Sequence, residues 1–419
     1  MASAGVVVTR FDDTVLQREP SDRAALLSWL DAGLKAVDPR RLVRDALSSA
    51  PYRQVHVIAI GKAAAAMTRG VAQVMSIKGG VVVSDHEEPV PVGVQHLVGD
   101  HPIPGQASMR AAKAVLAAVA RIPEGERCIA LISGGGSALC ELPRPGVPHQ
   151  FIATVNAQLI GHAAGIEEIN VVRCHLSDFK GGGVARAARR PIDTFVISDV
   201  AGADPGVVAS GPTVPRAHEP DRAMSLLKRF GIEVPYSVRD AIFTQPPPTD
   251  MPHVTLLADG HDAAQAVAHS AVTHKSGLDA VVRSEWLEGD VEGCVDWMFS
   301  IAAGSLTVAV GEPVVEVTGH GRGGRNTHAA LIMARRIART ETLFAALATD
   351  GVDGFSGSAG ALVDGKTIGL GGDPTTAIQD CDSAGYLERT SDLLSCEPTG
   401  TNVADLWVLW RRNPTLAVE

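Results

Sequence analysis

The chain has 419 residues, enough for two or three domains, and its 45% hydrophobic and 20% charged residues are the balance of a soluble globular enzyme. A net charge of −10 argues against a nucleic-acid-binding surface, while leaving room for a local positive pocket that holds an anion. The six cysteines, at 128, 140, 174, 294, 381 and 396, form no C-x-x-C pair and so support neither a zinc site nor a disulfide framework.

The opening MASAGVVVTRFDD lacks a charged start followed by a long apolar stretch. No run reaches the about 18 apolar residues of a membrane span, and the expectation is a reduced, cytoplasmic chain with no membrane partner. Residues 21–50 carry Leu26, Leu27, Leu30, Leu34 and Val37 at helical spacing, broken near Pro39, which predicts two packed helices. After them one pattern repeats: a β-branched or aliphatic run stops at a glycine or an acid, and a helical stretch follows. It appears in VHVIAIGKAAAAM, GGVVVSDH, CIALISGGGSAL, DTFVISDVAGADPG, HVTLLADGHDAAQAVAHSA, PVVEVTGHGRGGRNTHAALIMARRIA and LFAALATDGVDG. Continuous apolar runs separated by helices predict an α/β fold of parallel strands buried on both faces. Ligands of such sheets bind beyond the carboxyl ends of the strands, where this chain concentrates its glycines, acids and lone cations. The proline-rich FTQPPPTDMPH, residues 243–253, reads as a linker. It divides the chain into residues 1–245 and 252–399, with the tail 400–419 able to cross back onto the first part.

Lys62 follows the first apolar run and opens a helix, where a cation opposes the macrodipole unless it shares an anion with the helix amides. It is read as a phosphate or carboxylate binder. Ser133, Gly134, Gly135, Gly136 and Ser137 expose consecutive main-chain N–H groups at the next such turn, either as an anion-binding concavity or as a tight turn needing bare backbone. In VVRCHLSDFKGGGVARAA, residues 171–188, Arg173, His175, Ser177, Asp178 and Lys180 crowd before three glycines, a set suited to a small polar anion. His175 by itself reads as the cap of a neighbouring segment. Asp199 lies just past a predicted strand and Asp204 five residues on, two carboxylates able to take Mg²⁺ directly or through water.

Gly319, Gly321 and Gly324 spell G-x-G-x-x-G between a predicted strand and a helix, and Asp350 stands roughly where a ribose-binding acid belongs. That reading makes the protein a nicotinamide-dependent oxidoreductase. Against it, Arg322 and Arg325 sit inside the fingerprint and suit a compact anion such as a transferring phosphoryl group. Asp350 and Asp353, between glycines, would orient a hydroxyl or a second metal, with Asp353 read as a turn residue.

Seven motifs in order, IGKAAAAM, DHPIPGQAS, LISGGGSAL, VRCHLSDFKGG, SDVAGADPGVVASGPTVP, GGRN and TDGVDGFSGSAGALVDG, resemble the glycerate 2-kinase family over roughly residues 20–410. The second part looks like that family's MOFRL domain. The resemblance implies a Rossmann-like first domain, a smaller α/β second domain and a cleft between them. It implies phosphorylation of D-glycerate to 2-phosphoglycerate, with ATP and Mg²⁺ as cofactors and glycerate and nucleotide as partners, and it leaves room for a homodimer. Lys62, Asp199 and Arg325 match the residues thought essential in the family. On this reading the phosphates lie near residues 133–137 and Lys62, and Lys62 and Arg325 supply cations from opposite lobes. Arg173 or Lys180 binds the substrate carboxylate with help from Ser177, and Asp199 holds Mg²⁺ or accepts the hydroxyl proton. The chain departs from the family at Thr327-His328, where Gln-Glu is usual. A four-carbon sugar acid is the alternative kinase substrate, and NAD(P)H-dependent hydroxypyruvate reduction the alternative reaction.

Overall fold

The computed structural model describes residues 20–162, 164–188, 191–301 and 305–412; the leader expectation at the N-terminus and the last residues of the tail lie outside them. The described residues form two compact units, one of residues within 39–258 and one of residues within 20–38 and 259–412.

The unit of residues 39–258 is built on six strands: β1 (Gln54–Ile60), β2 (Ser76–Ser84), β3 (Val94–Val98), β4 (Cys128–Ile132), β5 (Asp193–Ile197) and β6 (His253–Ala258). All pair in parallel, in the order β3-β2-β1-β4-β5-β6, which is the doubly wound order of dinucleotide-binding folds. The apolar runs at β1 and β4 lie in the middle of this sheet, and every residue of β4 is buried. Ile58, Ile60, Ala130 and Ile132 pack with Val115 and Val119 of the helix Gln106–Ala120. A second core holds Val155, Leu159, Val172, Leu227 and Ile242 from four helices, His149–Gly161, Ile166–Leu176, Pro220–Arg229 and Tyr236–Phe243.

The other unit carries β7 (Ala280–Leu287), β8 (Leu306–Gly311), β9 (Thr342–Ala348), β10 (Gly360–Asp364), β11 (Leu393–Leu394) and β12 (Asp405–Arg411), in the order β11-β10-β9-β12-β8-β7. Here the expectation of parallel strands fails beyond β7 and β8, because β12 runs antiparallel to both of its neighbours and β10 antiparallel to β9. The run at 313–318 forms no strand, only a bridge from Val314 to Asp290, and Val314 and Val317 are exposed. Its hydrogen bonding goes elsewhere: the Thr318 hydroxyl and the Gly321 amide donate to the carbonyls of Gln379 and Asp380.

The division at 245/252 is corrected in three places. The proline stretch is a loop inside the first unit, because the run after it becomes β6, pairing Phe195 with Thr255 and Val196 with Leu256. The helix Pro20–Ala36 belongs with the second sheet: Leu26, Leu27, Trp29, Leu30 and Leu34 share a core with Val267, Val308 and Val408. Gly33 lets this helix approach closely, since a Cβ there would lie 2.7 Å from Val267. Buried Arg23 anchors it to Asp364 at 2.5 Å and Asp392 at 2.8 Å. The described part of the tail, finally, does not cross back, for β12 inserts between β8 and β9.

Candidate functional site

In a sheet of order 3-2-1-4-5-6 the loops leaving β1 and β4 diverge to opposite faces and open a crevice at the carboxyl edge. Those loops are Gly61–Ala63 and Ser133–Gly136. They are tied together by main-chain and hydroxyl bonds: Ser133 N donates to Ile60 O at 3.0 Å, Lys62 N to Gly134 O at 2.9 Å, and Ala63 N to Ser133 Oγ at 3.0 Å. Gly61, at φ +122°, faces Ser133 so closely that a Cβ would overlap it. Gly135 is left-handed at φ +81°, where a Cβ would stand 3.1 Å from Lys62 Cγ, and a Cβ on Gly136 would stand 2.7 Å from that of Ala209. Close packing therefore accounts for much of the glycine usage. It does not account for the amides: among the described residues, the N–H groups of Gly134, Gly135, Gly136 and Ser137 donate to no protein acceptor. Consecutive unfilled donors of this kind suit an anion.

A polar chain borders them. Arg173 donates from Nε to Asn156 Oδ1 at 2.7 Å and from Nη1 to Ser137 Oγ at 3.3 Å. Ser137 Oγ meets Ser210 Oγ at 3.0 Å, and Ser210 donates to Asn170 Oδ1 at 2.7 Å, while the buried Asn170 Nδ2 has no partner among the described residues. No carboxylate lies within ion-pair distance of Arg173 among the described residues, and burial lowers its pKa, an effect Glu141 offsets. A half-buried guanidinium lacking a carboxylate is well placed to pair with an anion. Ala209 and Ser210 both adopt left-handed backbone, at φ 53° and 59°, conformations that cost energy and concentrate at ligand sites. Sequence reasoning missed Asn156, Asn170 and Ser210. Asn170 and Arg173 stand three apart on a helix that is otherwise apolar there, which is the signal that could have found them.

The remaining candidates of this unit divide. Lys180 is fully buried, donating to Ser137 O at 2.6 Å and paired with Glu141 at 2.8 Å, so its charge is taken up by protein partners and braces the glycine loop. Ser177 is equally buried, donating to Leu142 O and accepting from Phe179 N, so it closes a local turn. Contrary to expectation, neither side chain is disposed as a substrate contact, because both are buried and satisfied within the protein. His175 caps a neighbour as expected: it accepts from Glu219 N at 2.9 Å, its Nδ1 lies 2.7 Å from Val171 O, and burial lowers its pKa to about 4. Asp199 sits half-buried just past the carboxyl end of β5, next to β4 in the sheet. Asp204 is exposed, and its Oδ1 accepts the Gly206 amide at 2.8 Å in a tight turn. No cluster of three or more His, Cys, Asp or Glu able to hold a metal occurs among the described residues. Of the two carboxylates on this segment, Asp199 is the half-buried one and Asp204 is tied up in its own turn.

In the other unit Arg325 begins the helix Arg325–Arg336. Its Nε donates to Asp405 Oδ2 at 2.5 Å and its Nη2 to Glu312 Oε1 at 2.9 Å. Burial works against its charge, but Asp405 and Glu312 outweigh that and raise its pKa; burial pushes buried Asp405 up to about 7, against the pull of Arg325. These carboxylates, also missed from the sequence, fix the guanidinium in place. Asp350 stands two residues past β9, half-buried, accepting the Val352 amide at 3.0 Å. The helix start itself is filled, since buried Asp353 accepts the amides of Asn326 at 2.9 Å and Thr327 at 2.8 Å. A Cβ on Gly319, Gly321 or Gly324 would overlap Asp380, Asp382 or Asp353. The G-x-G-x-x-G is thus bare for packing against protein, and the dinucleotide reading loses its physical basis.

A family model described as a domain of unknown function (DUF4147) matches residues 25–243, and one described as the MOFRL family matches residues 305–405. The D-glycerate 2-kinase of Thermotoga maritima is 33% identical over 394 residues, covering 89% of this chain and 94% of its own. This chain belongs to the glycerate 2-kinase family. The glycerate 2-kinase of Pyrococcus horikoshii is 32% identical over 417 residues, with 90% of this chain and 94% of that protein covered. A protein of Agrobacterium vitis, 33% identical over 413 residues and covering 92% of this chain and 94% of its own, carries the name putative hydroxypyruvate reductase. The crystal structure of a glycerate kinase from Thermotoga maritima matches with a TM-score of 0.83 at 31% identity, over 93% of this chain and 99% of that one. The two-part α/β architecture is therefore a family property. No helix of the described residues is long and apolar enough to cross a membrane.

Proposed function

We propose that the chain transfers the terminal phosphoryl group of ATP to the 2-hydroxyl of D-glycerate. The observation that carries this reading is the crevice between β1 and β4, where four unfilled amides and a guanidinium without a carboxylate converge beside Lys62. Phosphoryl transfer asks a protein for positioning and for neutralisation of spread negative charge, which such a donor set supplies. In this scheme the amides of Gly134–Ser137 and Lys62 hold the nucleotide phosphates. Arg173, with the Ser137 and Ser210 hydroxyls, takes the substrate carboxylate. Asp199 carries Mg²⁺, which neutralises phosphate charge when bound, or accepts the proton of the attacking hydroxyl. In the other unit, Arg325 is held in orientation by Asp405 and Glu312 and is the cation matched to the family's essential arginine.

The test is a coupled ATP-consumption assay over three- and four-carbon hydroxy acids, with phosphorus NMR on the product. ATP-dependent formation of 2-phosphoglycerate, with D-glycerate the best substrate, is expected. Preference for a four-carbon acid would change the substrate, and hydroxypyruvate-dependent NAD(P)H oxidation without ATP turnover would overturn the reaction.

A further inference from the structure

A cavity of about 880 Å³ opens on the first unit, lined by Ala120, Arg144, Pro145, Asp178, Arg186 and the segment Thr244–Pro247, among others. It shares no residue with the β1–β4 crevice. Ala120 and Ala188 end helices that run back toward the amino-terminal edge of the sheet to begin β4 and β5, whereas the crevice opens at the carboxyl edge. Its volume lies within the roughly 300–1,000 Å³ of pockets that enclose drug-sized molecules.

Its polar wall is organised in an unusual way. Arg144 donates Nη1 to Ala241 O at 3.0 Å and Thr244 O at 2.9 Å, and Nη2 to Cys174 O at 3.4 Å, while its buried Nε has no hydrogen-bond partner among the described residues. Arg186 donates to Gly181 O at 2.7 Å and Lys180 O at 3.3 Å. Both guanidiniums are thus held by main-chain carbonyls, which orient them without cancelling their charge. Among the described residues the one carboxylate in ion-pair range of either is that of Asp178, 3.6 Å from Arg144 Nε and half exposed. Burial lowers the pKa of Arg144 and of Arg186 and raises that of Asp178, so the pocket wall carries an electrostatic deficit that an added anion relieves. Pro145, Pro246 and Pro247 add rigid apolar surface to the lining.

We propose that this cavity is a second ligand site, distinct from the proposed active site, for an organic anion whose phosphate or carboxylate head faces Arg144 and Arg186 and whose apolar body lies on the prolines. The inference does not depend on the proposed reaction.

The experiment titrates the full chain with 1-naphthyl phosphate, 1-naphthoate, 1-naphthol and inorganic phosphate by calorimetry, alone and with a non-hydrolysable ATP analogue at saturation. Saturable binding of 1-naphthyl phosphate or 1-naphthoate is expected, at least tenfold tighter than phosphate or 1-naphthol and unchanged by the ATP analogue. Two exposed sites allow charge to be added without disturbing the core: Ala120→Glu and Gln245→Glu should each weaken binding tenfold or more at an unchanged melting temperature. Amide shifts should fall on residues 183–188 and 244–245. Absence of saturable binding, equal affinity in both variants, displacement by the nucleotide, or shifts confined to residues 61–64 and 133–137 would overturn the proposal.

Discussion

Lys62 and Arg173 contribute cations of different kinds to the same crevice, and their substitutions should separate. Lys62 is a point charge on a flexible stem, suited to phosphate, so Lys62→Ala should lower kcat by about 10²–10³-fold, the order of one lost electrostatic stabiliser. Arg173 is held flat by Asn156 and Ser137. Arg173→Lys keeps charge but loses the fork, and should raise KM for glycerate at least tenfold while KM for ATP stays near its starting value. Equal effects on both KM values would remove Arg173 from the carboxylate. His175 makes a stability prediction. Its pKa is lowered from 6.5 to about 4 in the folded chain, so between these values the unfolded chain binds the extra proton. Its contribution is whole above pH 6.5 and is lost as pH falls toward 4. Thermal melts of His175→Gln should show a shallower decline over that window than the parent.

The loops that leave β1, β4 and β5 are where local sequence and tertiary demand meet. Strand ends, glycines and helix starts at these turns are legible because buried parallel strands need continuous apolar runs and tight turns need glycine. What the glycines serve is not legible, since Gly61 and Gly136 are bare to admit Ser133 and Ala209, residues 72 and 73 positions away. Gly136→Ala should therefore destabilise by about 1–3 kcal/mol through overpacking, and denaturant melts would measure it. The crowded segment 171–188 divides in the same way: Arg173 reaches the crevice, while Ser177 and Lys180 turn inward. Spacing along the chain does not decide that division, because it depends on where Glu141 and Leu142 lie. The run 313–318 shows the reverse error, a strand-like sequence drawn out of any sheet by its bonds to residues 379 and 380.

Chain order misleads about which unit a segment stabilises. The helix Pro20–Ala36 and strand β12 come from opposite ends of the chain and join one core, where Trp29 and Trp410 meet at a tilt of 59° with ring centres 4.9 Å apart. Leu30→Ala should cost about 2–5 kcal/mol, the range for a large-to-small change in a packed core. Hydrogen exchange should then accelerate in residues 260–274 and 405–411 before it does in β1 or β4; the opposite order would place the helix with the first unit.

Alternating apolar runs and helices determined the α/β class, and seven ordered motifs determined the family, because both are written in short contiguous stretches. The tertiary structure alone decided the strand order that opens a crevice between β1 and β4, the carboxylates that hold Arg325, and the packing that disarms the G-x-G-x-x-G. Each of these joins residues far apart in the chain, and only folding sets the distance between them.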